Sequence, residues 1–172
     1  MASLMENLIE VLCQESDEYE GLLTLSQEKT RIIASADLEK LQKITDDEQE
    51  VVSRIARLEK RRTEVTADMA NVLNKDVENF KLSNLIEMMA SRPAEQAKLA
   101  RVHDRLQNSV RELRRTNEQN KELLENALEM VEFEMNLLQA AKGAPETANY
   151  TRDAYNSGMQ IGAVSGSFDA KQ

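Results

Sequence analysis

One repeat constrains this fold more than anything else in the chain. In the second segment, from about Leu38 to Asn74, the residues Leu41, Ile44, Glu48, Val51, Ile55, Leu58, Arg62, Val65, Met69 and Val72 follow one another at alternating steps of three and four. That spacing puts ten side chains on one stripe of an α-helix and is incompatible with a strand, whose faces alternate with period two. The helix would be about 55 Å long at ~1.5 Å per residue. Its stripe is a heptad seam, and a seam of this kind needs a neighbouring helix to cover it.

The neighbours are legible on either side. In the first segment, about Leu4 to Ile33, the residues Met5, Leu8, Leu12, Glu15, Tyr19, Leu22, Ser26, Lys29 and Ile33 keep the same alternation, with Gly21 the one weak point. The break comes at Ser35-Ala36-Asp37, where the Asp37 carboxylate can accept a hydrogen bond from an unpaired N–H of the next helical turn. So short a connection makes the first two helices antiparallel neighbours. Residues 74–92 are less regular. Ser83 is the expected cap of a two-turn helix that buries Leu85, Ile86, Met88 and Met89.

Pro93 then opens a third long helix, where its missing N–H costs nothing. Leu106, Val110, Leu113, Asn117, Asn120, Leu124, Ala127, Val131, Glu134 and Leu138 carry its alternation to about Lys142, over roughly 75 Å. Asn117 and Asn120 fall on the seam, where an amide costs stability and fixes register. Gly143 and Pro145 end the helix. Four of the five glycines lie after residue 142, and the remainder lacks helical period, so disorder of the free tail is expected. The expected fold is all-α: an elongated antiparallel bundle or coiled coil of three long helices and a short connecting helix over residues 1–142, with a flexible C-terminal tail over 143–172.

Composition narrows the function. Aromatics are 3% with no Trp, while charged residues are 31%, which suits thin cores of Leu, Ile, Val, Met and Ala more than a compact enzyme. A net charge of −9 repels nucleic acid and anionic membranes at long range. No apolar run reaches the ~20 residues that span a bilayer, and Glu6 and Glu10 interrupt the N-terminal run, so no membrane insertion and a soluble, cytoplasmic protein are expected. The lone Cys13 reads as a small apolar residue in a reducing compartment. No catalytic constellation is present. His103 stands alone without metal-ligand spacing, no glycine-rich loop opens a helix, and no metal or cofactor is expected. Two basic clusters, Arg54, Arg57, Lys60, Arg61 and Arg62, and Arg111, Arg114 and Arg115, lack the interleaved aromatics of a nucleic-acid surface and read as solvated faces paired with nearby carboxylates.

The end of the third long helix is richer in apolar residues than one seam requires. Leu124, Leu128, Val131, Met135 and Leu138 form one face. Leu123, Met130, Phe133 and Leu137 form another, turned about 150° from the first at ~100° per residue. One neighbour cannot cover both. Either the first helix and the 84–90 segment share the task, or one face is left for a partner's amphipathic helix.

The stretch from Leu8 to Arg62 resembles the N-terminal half of FlgN-type flagellar export chaperones. Leu8, Leu12, Glu15, Tyr19, Leu22 and Lys29, Asp37 at the turn, and Leu41, Glu48, Ile55, Leu58, Glu59 and Arg62 carry the likeness, and the third helix and tail follow in the family's order. The resemblance implies a cytoplasmic, non-enzymatic chaperone that binds the C-terminal amphipathic helix of the flagellar hook–filament junction proteins, prevents their premature assembly and delivers them to the flagellar type III export apparatus. The cargo-binding residues would be Leu123, Leu124, Met130, Val131, Phe133, Leu137 and Leu138. It also implies docking on the cytoplasmic domain of the export gate by a tyrosine after the last helix. The Tyr-x-x-Gly of Tyr155 and Gly158 matches that pattern, with Tyr150 the competitor. The alternative reading is a structural coiled-coil scaffold that self-associates through the same heptads. Whether the free chaperone forms a homodimer stays open at this point.

Overall fold

A computed structural model describes residues 2–143 of the chain, and these are helical throughout apart from short connections. Helix α1 spans Ala2–Ser35, α2 Leu38–Val72, α3 Leu82–Met88, and α4 Pro93–Gly143, with a 3₁₀ turn at Met89–Ser91 between α3 and α4. The chain divides into two compact units, one ending at Met130 and the other beginning at Val131. The expected tail therefore lies, Gly143 excepted, outside the described residues.

In the first unit, α1 and α2 form an antiparallel hairpin. Asp37 is the N-cap of α2, its carboxylate accepting from the Lys40 N–H at 3.0 Å. That hydrogen bond, with the Lys40 ammonium 2.9 Å away, holds the Asp37 carboxyl below its ordinary range. Ala36 makes the turn at φ 53°, in the left-handed region that a Cβ disfavours. The other end of α2 closes differently. Asn74 takes φ 51°, and the N–H groups of Asn74 and Lys75 return to the carbonyls of Asn71 and Ala70. This Schellman arrangement satisfies carbonyls that the helix end would leave bare.

The two stripes meet as the repeat requires. None of the nine positions from Met5 to Ile33 is fully exposed, and Leu8 and Leu12 are sealed completely. Ile44, Val51, Ile55, Val65 and Met69 are buried on α2. Val72 is an exception, 56% exposed, because α2 ends there. The polar seam positions find one another: Lys29 Nζ lies 2.6 Å from Glu48, and Arg62 Nε lies 2.9 Å from Glu15. These two pairs share one antiparallel register, so a slip by one heptad would strand four charges against apolar neighbours.

Helix α3 is not capped by Ser83 as expected. Lys81 occupies the N-cap without a side-chain bond, and Leu85 and Met89 drop into the core beside Met5, Leu8, Leu12, Val65, Met69 and Leu99. The segment therefore closes the end of the bundle where α1 begins. Within this unit it leaves Leu128 and Met130 uncovered, unlike the reading of the sequence in which the 84–90 segment covers one apolar face of α4.

Helix α4 runs parallel to α1. Arg105 pairs with Asp17 and Glu20, Ser26 Oγ donates to Asn117 Oδ1 at 2.6 Å, and Thr30 Oγ1 donates to Asn120 Oδ1 at 2.6 Å. Asn120 also donates through Nδ2 to the Ser26 carbonyl at 2.8 Å. Asn120 thus satisfies both its oxygen and its nitrogen on α1, Asn117 its oxygen, and the two amides set the height at which α4 docks. Leu113 completes a second core cluster with Leu22, Val51 and Ile55. In the second unit, Val131–Gly143 is the last stretch of helix, and every residue of it is exposed.

Candidate partner-binding site

The apolar excess of α4 is solvent-exposed in both units. In the first, Leu123 and Leu124 are half-buried, while Leu128 and Met130 are 64% and 65% exposed. In the second, Val131, Phe133, Met135, Leu137 and Leu138 lie between 52% and 68% exposed. Large apolar side chains scattered singly on a surface need no explanation, but seven within eleven residues, on both faces of one helix, do. Their flanks are acidic: Glu122, Glu125, Glu129, Glu132 and Glu134 intervene, with lysine only at Lys121 and Lys142. Such a segment can cover an apolar stripe on another helix. Met130 and Met135 suit it to stripes of more than one shape, since a thioether side chain re-packs readily. The tail residues Tyr155 and Gly158, and the competitor Tyr150, lie outside the described residues.

The basic residues divide in a way the sequence did not disclose. Arg54 is held by Glu18 at 2.9 Å, Arg61 by Asn7, and Arg62 by Glu15. Arg57, Lys60 and Arg115 have no carboxylate within ion-pair distance among the described residues, and neither have Arg111 and Arg114. Arg111 reaches only Asn108, at 3.5 Å. Both line a cleft of about 580 Å³ bounded by α1, α2, Leu82 and α4.

Inside that cleft, Tyr19 donates its hydroxyl to Glu59 at 2.9 Å, and burial together with the Glu59 charge pushes the phenol up to about 12. Glu15 is 1% exposed, and burial pushes its carboxyl above the ordinary range, a shift the nearby Arg62 guanidinium opposes. The Arg62 N–H is close to Glu15 without being aimed at its oxygen, so neither group completes a hydrogen bond there. This is a structural ion pair at a seam position, and the second carboxylate of the cleft, Glu59, is occupied by the Tyr19 hydroxyl. Among the described residues, no group of His, Cys, Asp and Glu side chains converges to hold a metal ion. No helix among them is long and apolar enough to cross a membrane. His103 is half-buried and meets Gln107 at 3.3 Å and the carboxylate of Asp104 at 3.6 Å.

Comparison with known proteins gives one match. Residues 1–158 match the family model described as FlgN protein. No curated protein and no solved structure matches the chain at a significant level.

Proposed function

Because the chain belongs to the FlgN family, the flagellar export chaperones, we propose that its cargo is the C-terminal amphipathic helix of the hook–filament junction proteins. The observation that carries this reading is the exposed apolar end of α4, from Leu128 to Leu138. A helix destined for a filament core is apolar along one face and self-associates when uncovered. Covering that face is all the chemistry a chaperone needs, and the work is non-enzymatic. Leu123, Leu124, Met130, Val131, Phe133, Leu137 and Leu138 are the cargo-contacting residues. After cargo is bound, Tyr155 and Gly158 dock the complex on the cytoplasmic domain of the flagellar export gate. The cycle runs in the cytoplasm, where cargo is made and before it is exported.

Co-purification with the junction proteins of the same organism, with and without their C-terminal helices, tests the first step. Stable complexes that vanish on removal of those helices are expected. No complex from a folded, helical sample would instead favour a self-associating scaffold, whose mass in solution should then grow with concentration. Met130→Asp with Phe133→Asp should abolish cargo binding and leave the circular dichroism spectrum helical. Tyr155→Ala should leave cargo binding intact and weaken capture of the loaded chaperone by the gate domain. Unchanged gate affinity would remove Tyr155 from this role.

A further inference from the structure

The geometry points to the cleft between α2 and α4 as a second docking site, one that takes an amphipathic helix with acidic residues along the flank facing α4. It involves none of the cargo-contacting residues named above and does not depend on that assignment.

The cleft lies where the polar links of α4 to the hairpin run to one side only, while its apolar contacts with α2 are made through Leu99 and Leu113. Every ion pair and hydrogen bond that links α4 to the hairpin among the described residues runs to α1, through Arg105, Asn117 and Asn120. None runs to α2. Over the stretch where α2 and α4 face one another without such links, α1 supplies the floor with Glu15 and Tyr19. Helices packed on a common neighbour leave a trough that a further helix fills in four-helix bundles.

The lining says which helix fits. Leu106 and Val110 on α4 are half-buried, as is Leu82, which gives the trough an apolar strip. His103, Gln107, Arg111 and Arg114 succeed one another at steps of four, four and three, so one face of α4 forms a wall about 17 Å long at ~1.5 Å per residue. That wall accommodates about three turns of a partner.

The charges in the cleft are already apportioned. Glu15 is matched to Arg62, and Glu59 accepts from Tyr19. Arg111 and Arg114 remain, two guanidinium groups without carboxylate partners in a chain whose formal charge is −9. A guanidinium is built to receive a carboxylate in a two-pronged contact. An occupant with Asp or Glu at positions i and i+3 or i+4 beside its apolar stripe meets both. A basic occupant meets like charge at the same two places. A second copy of this chain's own α4 end offers such carboxylates too, so the test separates a foreign helix from self-association.

The full-length chain is used to select from a display library of eighteen-residue helices that share one leucine stripe and carry random flanks. Isolated peptides are then titrated by fluorescence anisotropy, and the mass of the chain is measured with and without peptide. The expected result is enrichment of Asp and Glu over Lys and Arg on one flank. Binding by those peptides should weaken about fivefold or more in the Arg111→Glu, Arg114→Glu variant, which is the effect of losing two exposed ion pairs. Both positions are exposed, and circular dichroism of the variant checks that it folds. A library selected by the variant should favour Lys and Arg. Flanks without charge preference, or affinity indifferent to the double substitution, would overturn the proposal. So would a chain that dimerises through Arg111 and Arg114 and loses that dimer in the variant without binding peptide.

Discussion

Removing the Arg62 guanidinium by Arg62→Met should expose what a buried carboxylate costs this bundle. Glu15 is 1% exposed and depends on Arg62 for its nearest opposite charge. Breaking a buried ion pair by deleting one partner costs about 3–5 kcal/mol, and the Arg62 side chain keeps 35% of its exposure, so water screens part of the loss. An expected destabilisation of about 2–3 kcal/mol near pH 7.5 follows, or about 5–10 °C in Tm for a chain of this size.

The pH dependence carries the sharper test. Burial already raises the Glu15 carboxyl in the folded protein and Arg62 opposes the shift, so the variant should raise it further. A carboxyl whose folded pKa lies above its unfolded value takes up a proton more readily when folded. Its penalty is therefore fully present above the folded pKa and is relieved as pH falls through it. The difference between variant and parent, measured by urea unfolding followed by circular dichroism, should shrink as the pH is lowered from neutral toward the ordinary carboxylate range. The double variant Glu15→Gln, Arg62→Met should return to within about 1 kcal/mol of the parent at every pH, since no buried charge remains. A loss below about 0.5 kcal/mol that is flat with pH would mean that water reaches Glu15 and that this reasoning is wrong.

Further outcomes follow from single positions. Gly21 is an exposed mid-helix glycine with open space where a Cβ would stand, so Gly21→Ala should stabilise by about 0.5–1 kcal/mol in thermal or urea unfolding. Ala36 is the converse, an exposed alanine at φ 53°, and Ala36→Gly should stabilise by a similar ~0.5–1 kcal/mol; a loss in either would show that local backbone preference does not govern these turns. Leu8→Ala, at a fully sealed position, should cost about 2–5 kcal/mol, whereas Leu138→Ala at 61% exposure should stay within about 0.5 kcal/mol by the same assay.

Much of the fold was legible because one rule, steps of three and four, governs all three long helices. The stripe from Met5 to Ile33 reads straight into the core, and Asp37 caps where its carboxylate and position say it should. The misses have physical causes. Ser83 has good capping chemistry, but the burial of Leu85 and Met89 sets where α3 starts, and that places Lys81 at the cap. Periodicity announces that Asn117 and Asn120 face a neighbour without saying which, so their partnership with Ser26 and Thr30 needed the structure. Likewise Arg54, Arg62, Arg111 and Arg114 are equivalent as letters. Only the placement of Glu15 and Glu18 separates the paired from the unpaired. The apolar excess of α4 was plain in the sequence, because nine large apolar residues in sixteen exceed any single seam.

The parallel run of α4 beside α1 also fixes an order of events. Pairs that close the hairpin, such as Lys29 with Glu48, lie 19 residues apart, whereas Asn120 meets Ser26 across 94. The entropy of closing a loop grows with its length, and contacts of short separation are reached first. On the ribosome, α1 and α2 can zip together while α4 is still unmade, and α4 joins a surface already formed. Hydrogen exchange should then show α4 amides opening at lower free energy than those facing each other between Leu12 and Ile55. A chain assembled in this order has a last step that can reverse on its own, with α4 leaving and returning while the hairpin stays shut.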